Sequence, residues 1–125
     1  MQQLQFEASW DKALALEDRQ SIEKIFHETK YLDDNEILFS PIREAINHKE
    51  ELLVTVLVHN FLDNELQFTN TRMRYLIQDE VIAEHFFTLT AIVVPARVSM
   101  PWTFIFPKDS YSMKTKFHDG QLVIL

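Results

Sequence analysis

The sequence contains one glycine, Gly120, and no cysteine. A single glycine excludes the Gly-rich phosphate loop, the dinucleotide fingerprint and the Gly-x-Ser-x-Gly nucleophile elbow, which all need several glycines at fixed spacing. The absence of cysteine excludes disulfides, thiolate nucleophiles and Cys-ligated zinc or iron–sulfur centres. No apolar run approaches the ~20 residues a membrane-spanning helix needs. The start, Met1-Gln2-Gln3-Leu4-Gln5-Phe6-Glu7, lacks the basic and apolar regions of a secretion signal. These absences read as a cytoplasmic chain without membrane insertion. Basic residues are scarce too, with 12 Lys and Arg against 19 Asp and Glu and a formal charge of −7. Nucleic-acid affinity rests on neutralising phosphates with Lys and Arg, so no nucleic-acid partner is expected.

What is present builds a core. The 125 residues are 46% hydrophobic and include ten phenylalanines, enough for one packed domain over residues 1–125. Leu4, Phe6, Ala8 and Trp10 alternate with polar residues, which predicts a strand. A helix is expected over Glu17 to Thr29, with Ile22, Ile25, Phe26 and Thr29 on one face and Glu17 and Asp18 in its first turn. Arg19–Glu23 and Lys24–Glu28 have the spacing of pairs along its surface.

From there the pattern is strand after strand. Ile37 to Ile46 reads as one, with Pro41 demoting it to an edge or a bulge. Glu51 to Asn60 is apolar on both faces, the mark of a central strand covered twice. Leu66 to Ile77 and Val81 to Leu89 form a hairpin with Gln78-Asp79-Glu80 at its tip. In the first strand Met73, Tyr75 and Ile77 point inward and Arg72 and Arg74 outward. In the second, Ile82, Glu84 and Phe86 share the outward face. Val98, Met100, Trp102, Phe104 and Phe106 alternate with Ser99, Pro101, Thr103 and Ile105, a core-facing stripe. Asp119-Gly120 is a preferred type I′ pair, which predicts a last hairpin between Met113–His118 and Gln121–Leu125. Seven or eight short strands with frequent turns predict a mainly β fold, an immunoglobulin-like antiparallel β-sandwich with one N-terminal α-helix.

Candidate chemistry is thin. Five histidines (His27, His48, His59, His85, His118) show no His-x-x-x-His spacing, and Glu84 and His85, as strand neighbours, point to opposite faces. No metal, cofactor or catalytic residue is assigned, and the chain is read as a non-enzyme. Asp33-Asp34-Asn35-Glu36 lacks the glycine and ligand alternation of a calcium loop and reads as a solvated turn. Lys114 and Lys116 project from one side of a strand, as protection of an edge or as a basic stripe for an acidic partner. Ile82 and Phe86, apolar on an outward face, are candidates to contact the helix or, if it packs elsewhere, a partner. Ile82, Phe86, Lys114 and Lys116 therefore form the candidate interaction surface. The competing reading is a small-ligand- or metal-binding β-sandwich with a cavity between sheet and helix.

One resemblance spans nearly the whole chain. It is carried by Phe6-Glu-Ala-Ser-Trp-Asp11, Glu17-Asp-Arg-Gln-Ser-Ile-Glu-Lys-Ile-Phe26, Glu51-Leu-Leu-Val-Thr-Val-Leu-Val-His-Asn60 and Val81-Ile-Ala-Glu-His-Phe-Phe-Thr-Leu89. Val94-Pro95 and Ser99-Met-Pro-Trp-Thr-Phe-Ile-Phe-Pro107 complete it. These segments resemble the SLAP domain of Bacillus-type Firmicutes, named for S-layer assembly proteins linked to the accessory Sec system. The chain holds one copy where the assembly proteins carry two, and has glutamate near the Lys49-Glu50-Glu51 turn where other members have glycine. The resemblance implies a non-catalytic protein-interaction or assembly module, tied to accessory Sec-dependent export or assembly of S-layer proteins. A protein partner is expected, with room for homo-oligomerisation.

Overall fold

The computed structural model describes residues 2–32, 36–112 and 120–125. Among the described residues seven strands fall into two sheets: β1 (Gln3–Leu4), β2 (Ile37–Ile46), β3 (Leu52–Asn60), β4 (Leu66–Ile77), β5 (Glu80–Val94), β6 (Val98–Phe106) and β7 (Gly120–Ile124). One sheet has the order β1-β6-β3-β2, the other β5-β4-β7. Two helices, α1 (Ala8–Ala13) and α2 (Leu16–Thr29), precede β2, so the expectation of a single helix is corrected to two.

The correction falls on residues 4–10. Only Gln3 and Leu4 form a strand, parallel to the start of β6. The chain then turns helical at Ala8, where the Glu7 carboxylate accepts from Ser9 N at 3.0 Å and caps the first turn. The alternating set Leu4, Phe6, Ala8, Trp10 hides a second period. Phe6, Trp10 and Leu14 are spaced by four, from just before α1 through its middle to its C-cap, and all three pack beside Ile22, Phe26 and Leu57. Tertiary contact selected the longer period.

Helix α2 lies on the outer face of the four-stranded sheet, burying Ile22 and Phe26 against Leu57 of β3. Arg19, spaced to pair with Glu23, reaches across to α1, bonding Asp11 Oδ1 at 2.7 Å and stacking over the Phe6 ring. The outward face of β3 is thus roofed by helix, while Leu52, Val54, Val56 and Val58 join the core between the sheets. This is the doubly covered central strand that its apolar faces predict. β2 is an edge strand, and its register shifts between Pro41 and Arg43, which accommodates the missing N–H of Pro41 as edge and bulge together. At the β2–β3 turn Glu50 takes φ 61°, the left-handed region that glycine enters without cost.

The β4–β5 hairpin closes on Gln78 and Asp79 with φ 51° and 66°, a two-residue turn of type I′ sense. β5 runs on to Val94, five residues beyond the alternation read from the sequence. The core between the sheets is phenylalanine-rich. Phe104 of β6 meets Phe39, Phe68 and Phe87 edge-on at centroid distances of 5.9, 5.4 and 5.4 Å.

The Asp119-Gly120 hairpin is also corrected. Asp119 and Met113–His118 lie outside the described residues, but Gly120 has no positive φ and begins β7, opposite Ile77 of β4. A type I′ turn needs φ above zero at both central positions. Glycine is required here for a different reason: a Cβ would overlap the hydroxyl and ring of Tyr75, which is buried in the core. Gly120→Ala is expected to destabilise by about 1–3 kcal/mol through overpacking. Urea unfolding of the variant checks this; an unchanged midpoint would show that Tyr75 yields freely.

Candidate interaction surface

Of the four sequence candidates the structure describes two, Ile82 and Phe86, and these take different environments. Ile82 is 2% exposed and joins the core between the sheets, so its assignment to an outward face is corrected. The physical reason is a bulge: Tyr75 pairs with Ala83 and Leu76 with Val81, leaving Ile82 as an extra residue that shifts the alternation. Both Ile82 and Ala83 therefore turn inward. Phe86, three pairs further on, keeps the outward face and is 53% exposed. Neither touches the helices, which pack on the other sheet. Lys114 and Lys116 lie outside the described residues.

Around Phe86 the outer face of the three-stranded sheet is charged. Glu84 takes Arg72 Nη2 at 2.8 Å and also bonds Arg74 Nε, while the Arg72 guanidinium sits 5.9 Å from the Phe86 ring centre. Hydrogen bonds from Arg74 and then Arg72 hold the Glu84 carboxyl below its ordinary range. Arg72 and Arg74 were legible as outward residues. That both serve one carboxylate depends on cross-strand register.

Phe86 also borders the open side of the molecule, where the edges of β5 and β6 face each other. A hollow of about 340 Å³ there is lined by Phe86, Phe87, Leu89, Trp102 and Ile105 among others. Ile105 is 46% exposed. Trp102 is half-buried rather than enclosed in the core, and its ring stacks on Trp10 at 6.3 Å. β1 pairs with β6 only as far as Ser99, so among the described residues the rest of that strand presents an unpaired edge. A second depression lies between the helices and β2, bounded by Trp10, Leu14, Asp18 and Arg43. It is open to solvent, and among the described residues no buried side-chain polar atom lacks a partner.

The feature that sequence reasoning missed is a buried polar row across the helix-covered face of the first sheet. His59 of β3 is fully enclosed, with Nε2 2.8 Å from Ser40 Oγ of β2 and Nδ1 2.7 Å from Ser99 Oγ of β6. Its ring stacks on Phe61 at 5.2 Å, and Gln2 Nε2 donates to Ser99 Oγ at 3.0 Å from above. A neutral imidazole has one donor and one acceptor, so two hydroxyls satisfy it completely. Burial pushes its pKa down to about 4. A hydroxyl beside an imidazole has the makings of a nucleophile and base, but both serines are buried and the row serves as a polar clasp joining β2, β3 and β6. The sequence carried half a signal: His59 continues the Leu53, Thr55, Leu57 face of an otherwise apolar strand. His85 lies on the other sheet, against Phe87, so the two histidines do not share a strand pair. Among the described residues no group of three or more His, Cys, Asp or Glu could hold a metal ion. Among the same residues no helix is long and apolar enough to cross a membrane.

The chain is thus a mainly β domain of two packed sheets, with a helical layer on one and, among the described residues, an unpaired apolar edge on the open side. It belongs to the SLAP domain family, whose family model matches residues 4–121. No curated protein and no solved structure gives a match.

Proposed function

We propose that this domain is a non-enzymatic protein-interaction module serving accessory Sec-dependent export or assembly of S-layer proteins, built on an immunoglobulin-like sandwich. Family membership over residues 4–121 is the observation that carries the reading. The connectivity supports the fold assignment. β3 passes to the second sheet as β4, β5 returns as β6 beside β3, and β6 crosses again to β7, which lies beside β4. Alternation between two sheets in this sense is the Greek-key pattern of immunoglobulin-like domains. The exposed edge and the apolar side chains beside it supply a contact that needs no catalytic constellation.

Crosslinked pull-down of the tagged protein from its native bacterium, read by mass spectrometry, tests the reading. Enrichment of accessory-secretion components or S-layer precursors over an untagged control is the expected outcome. Recovery of neither class would overturn the export and assembly role.

A further inference from the structure

We propose that β6 pairs antiparallel with β6 of a second copy of this chain, through the stretch between Pro101 and Pro107. The inference goes beyond the interaction-module reading and does not depend on it.

The peptide geometry defines the stretch. Ser99 O accepts Gln5 N at 3.0 Å, so the peptide groups of Ser99 point away from β3. Along a strand every second residue points the same way, which directs Pro101, Thr103 and Ile105 to that edge, past the end of β1. Pro101 has no N–H. The carbonyl of Pro107 is turned inward to Ser110, accepting its N at 2.9 Å and its Oγ at 2.7 Å. The edge donors that remain are therefore those of Thr103 and Ile105.

This pattern is self-complementary about Phe104. In an antiparallel pair centred there, Thr103 exchanges both its bonds with the partner's Ile105, and Ile105 exchanges both with the partner's Thr103. The four-bond ladder stops at proline on either side. A strand flanked by prolines is shielded from open-ended pairing, so the contact closes as an isologous dimer rather than a fibre. Charge points to the same occupant. The chain carries −7 overall, yet residues 85–89, 102, 103 and 105, which line the open side, include no Asp, Glu, Lys or Arg. Two acidic molecules meet with least repulsion where neither carries charge, and Ile105 and Phe86 lose their exposure there.

Sedimentation equilibrium of the whole chain from about 10 µM to about 1 mM tests the proposal, in the range where small interfaces dissociate. A concentration-dependent monomer–dimer equilibrium is expected. Ile105→Pro removes an N–H that faces away from β3, and Ile105→Lys sets a charge in the strip; each is expected to weaken association at least tenfold, about 1.4 kcal/mol or more. Thermal melting of both variants confirms a folded monomer, and the lysine variant decides if the proline variant fails to fold. A wild-type chain that stays monomeric throughout would overturn self-pairing and assign the edge to a strand of another protein, leaving the pull-down result untouched. A dimer surviving both substitutions would also overturn it.

Discussion

Phe104→Ala is expected to lower the free energy of unfolding by about 3–5 kcal/mol. The ring is fully buried and sits where both sheets converge, meeting Phe39 of β2, Phe68 of β4 and Phe87 of β5 edge-on. Each edge-to-face contact adds roughly 0.5–1.5 kcal/mol beyond the area buried, and truncation removes three together. The neighbours cannot close the gap, because Phe87 is also held by Phe106 at 5.1 Å and the strands by their ladders. Against a typical domain stability of about 5–15 kcal/mol, such a loss brings the variant close to unfolding at ordinary temperature. Urea titration at constant slope measures it, and a loss under about 1 kcal/mol would contradict Phe104 as the centre of the core. Phe104→Leu keeps most of the volume and is expected to fall between the two.

Acid is expected to unfasten the fold through His59. Burial lowers its folded-state pKa from the ordinary 6.5 to about 4, so the unfolded chain binds the proton more readily. Its contribution is fully present above about pH 6.5 and is lost as the pH falls toward and through 4. The displacement corresponds to about 3 kcal/mol across that window. Structurally, protonation would make both ring nitrogens donors between Ser40 and Ser99, in a site whose burial penalises the charged form. Denaturant unfolding at pH 7 and pH 4.5, in wild type and His59→Gln, separates this from the other titrating groups. The wild type is expected to lose more stability on acidification than the variant, whatever the variant's stability at pH 7. Equal losses would show that His59 titrates normally.

The bounds of two strands were legible from their β-prone composition and flanking turns, although bulges interrupt the pairing of both. Ile37–Ile46 and Leu66–Ile77 match their sequence reading residue for residue, and Pro41 announced the bulged edge. Misreadings fell where a local pattern fitted two structures. Residues 4–10 satisfy period two and period four together, and Glu7 capping with packing on Leu57 decided for a helix. Ile82 looked outward because counting from Phe86 assumes an unbroken pleat, and the bulge opposite Tyr75 and Leu76 breaks it. Gly120 looked like a turn residue from its neighbour Asp119, when its requirement is the Tyr75 ring pressed against it.

The candidate surface was less legible than the fold. Phe86 could be identified because an exposed aromatic on an outward strand face is visible in the alternation. The unpaired edge of β6 could not, since it exists only because β1 ends at Leu4 beside Ser99. The same holds for the clasp of Ser40, His59 and Ser99, three residues drawn together from three strands by register.

The amino-acid sequence by itself determined the composition of the core, the mainly β character, the extent of α2 and the doubly covered central strand, because each follows from short-range periodicity. Only the tertiary structure decided which face Ile82 takes, which layer the helices cover, which edge stays open and where a histidine can remain neutral in the interior. Those depend on contacts between residues distant in the chain, whose geometry no local period encodes.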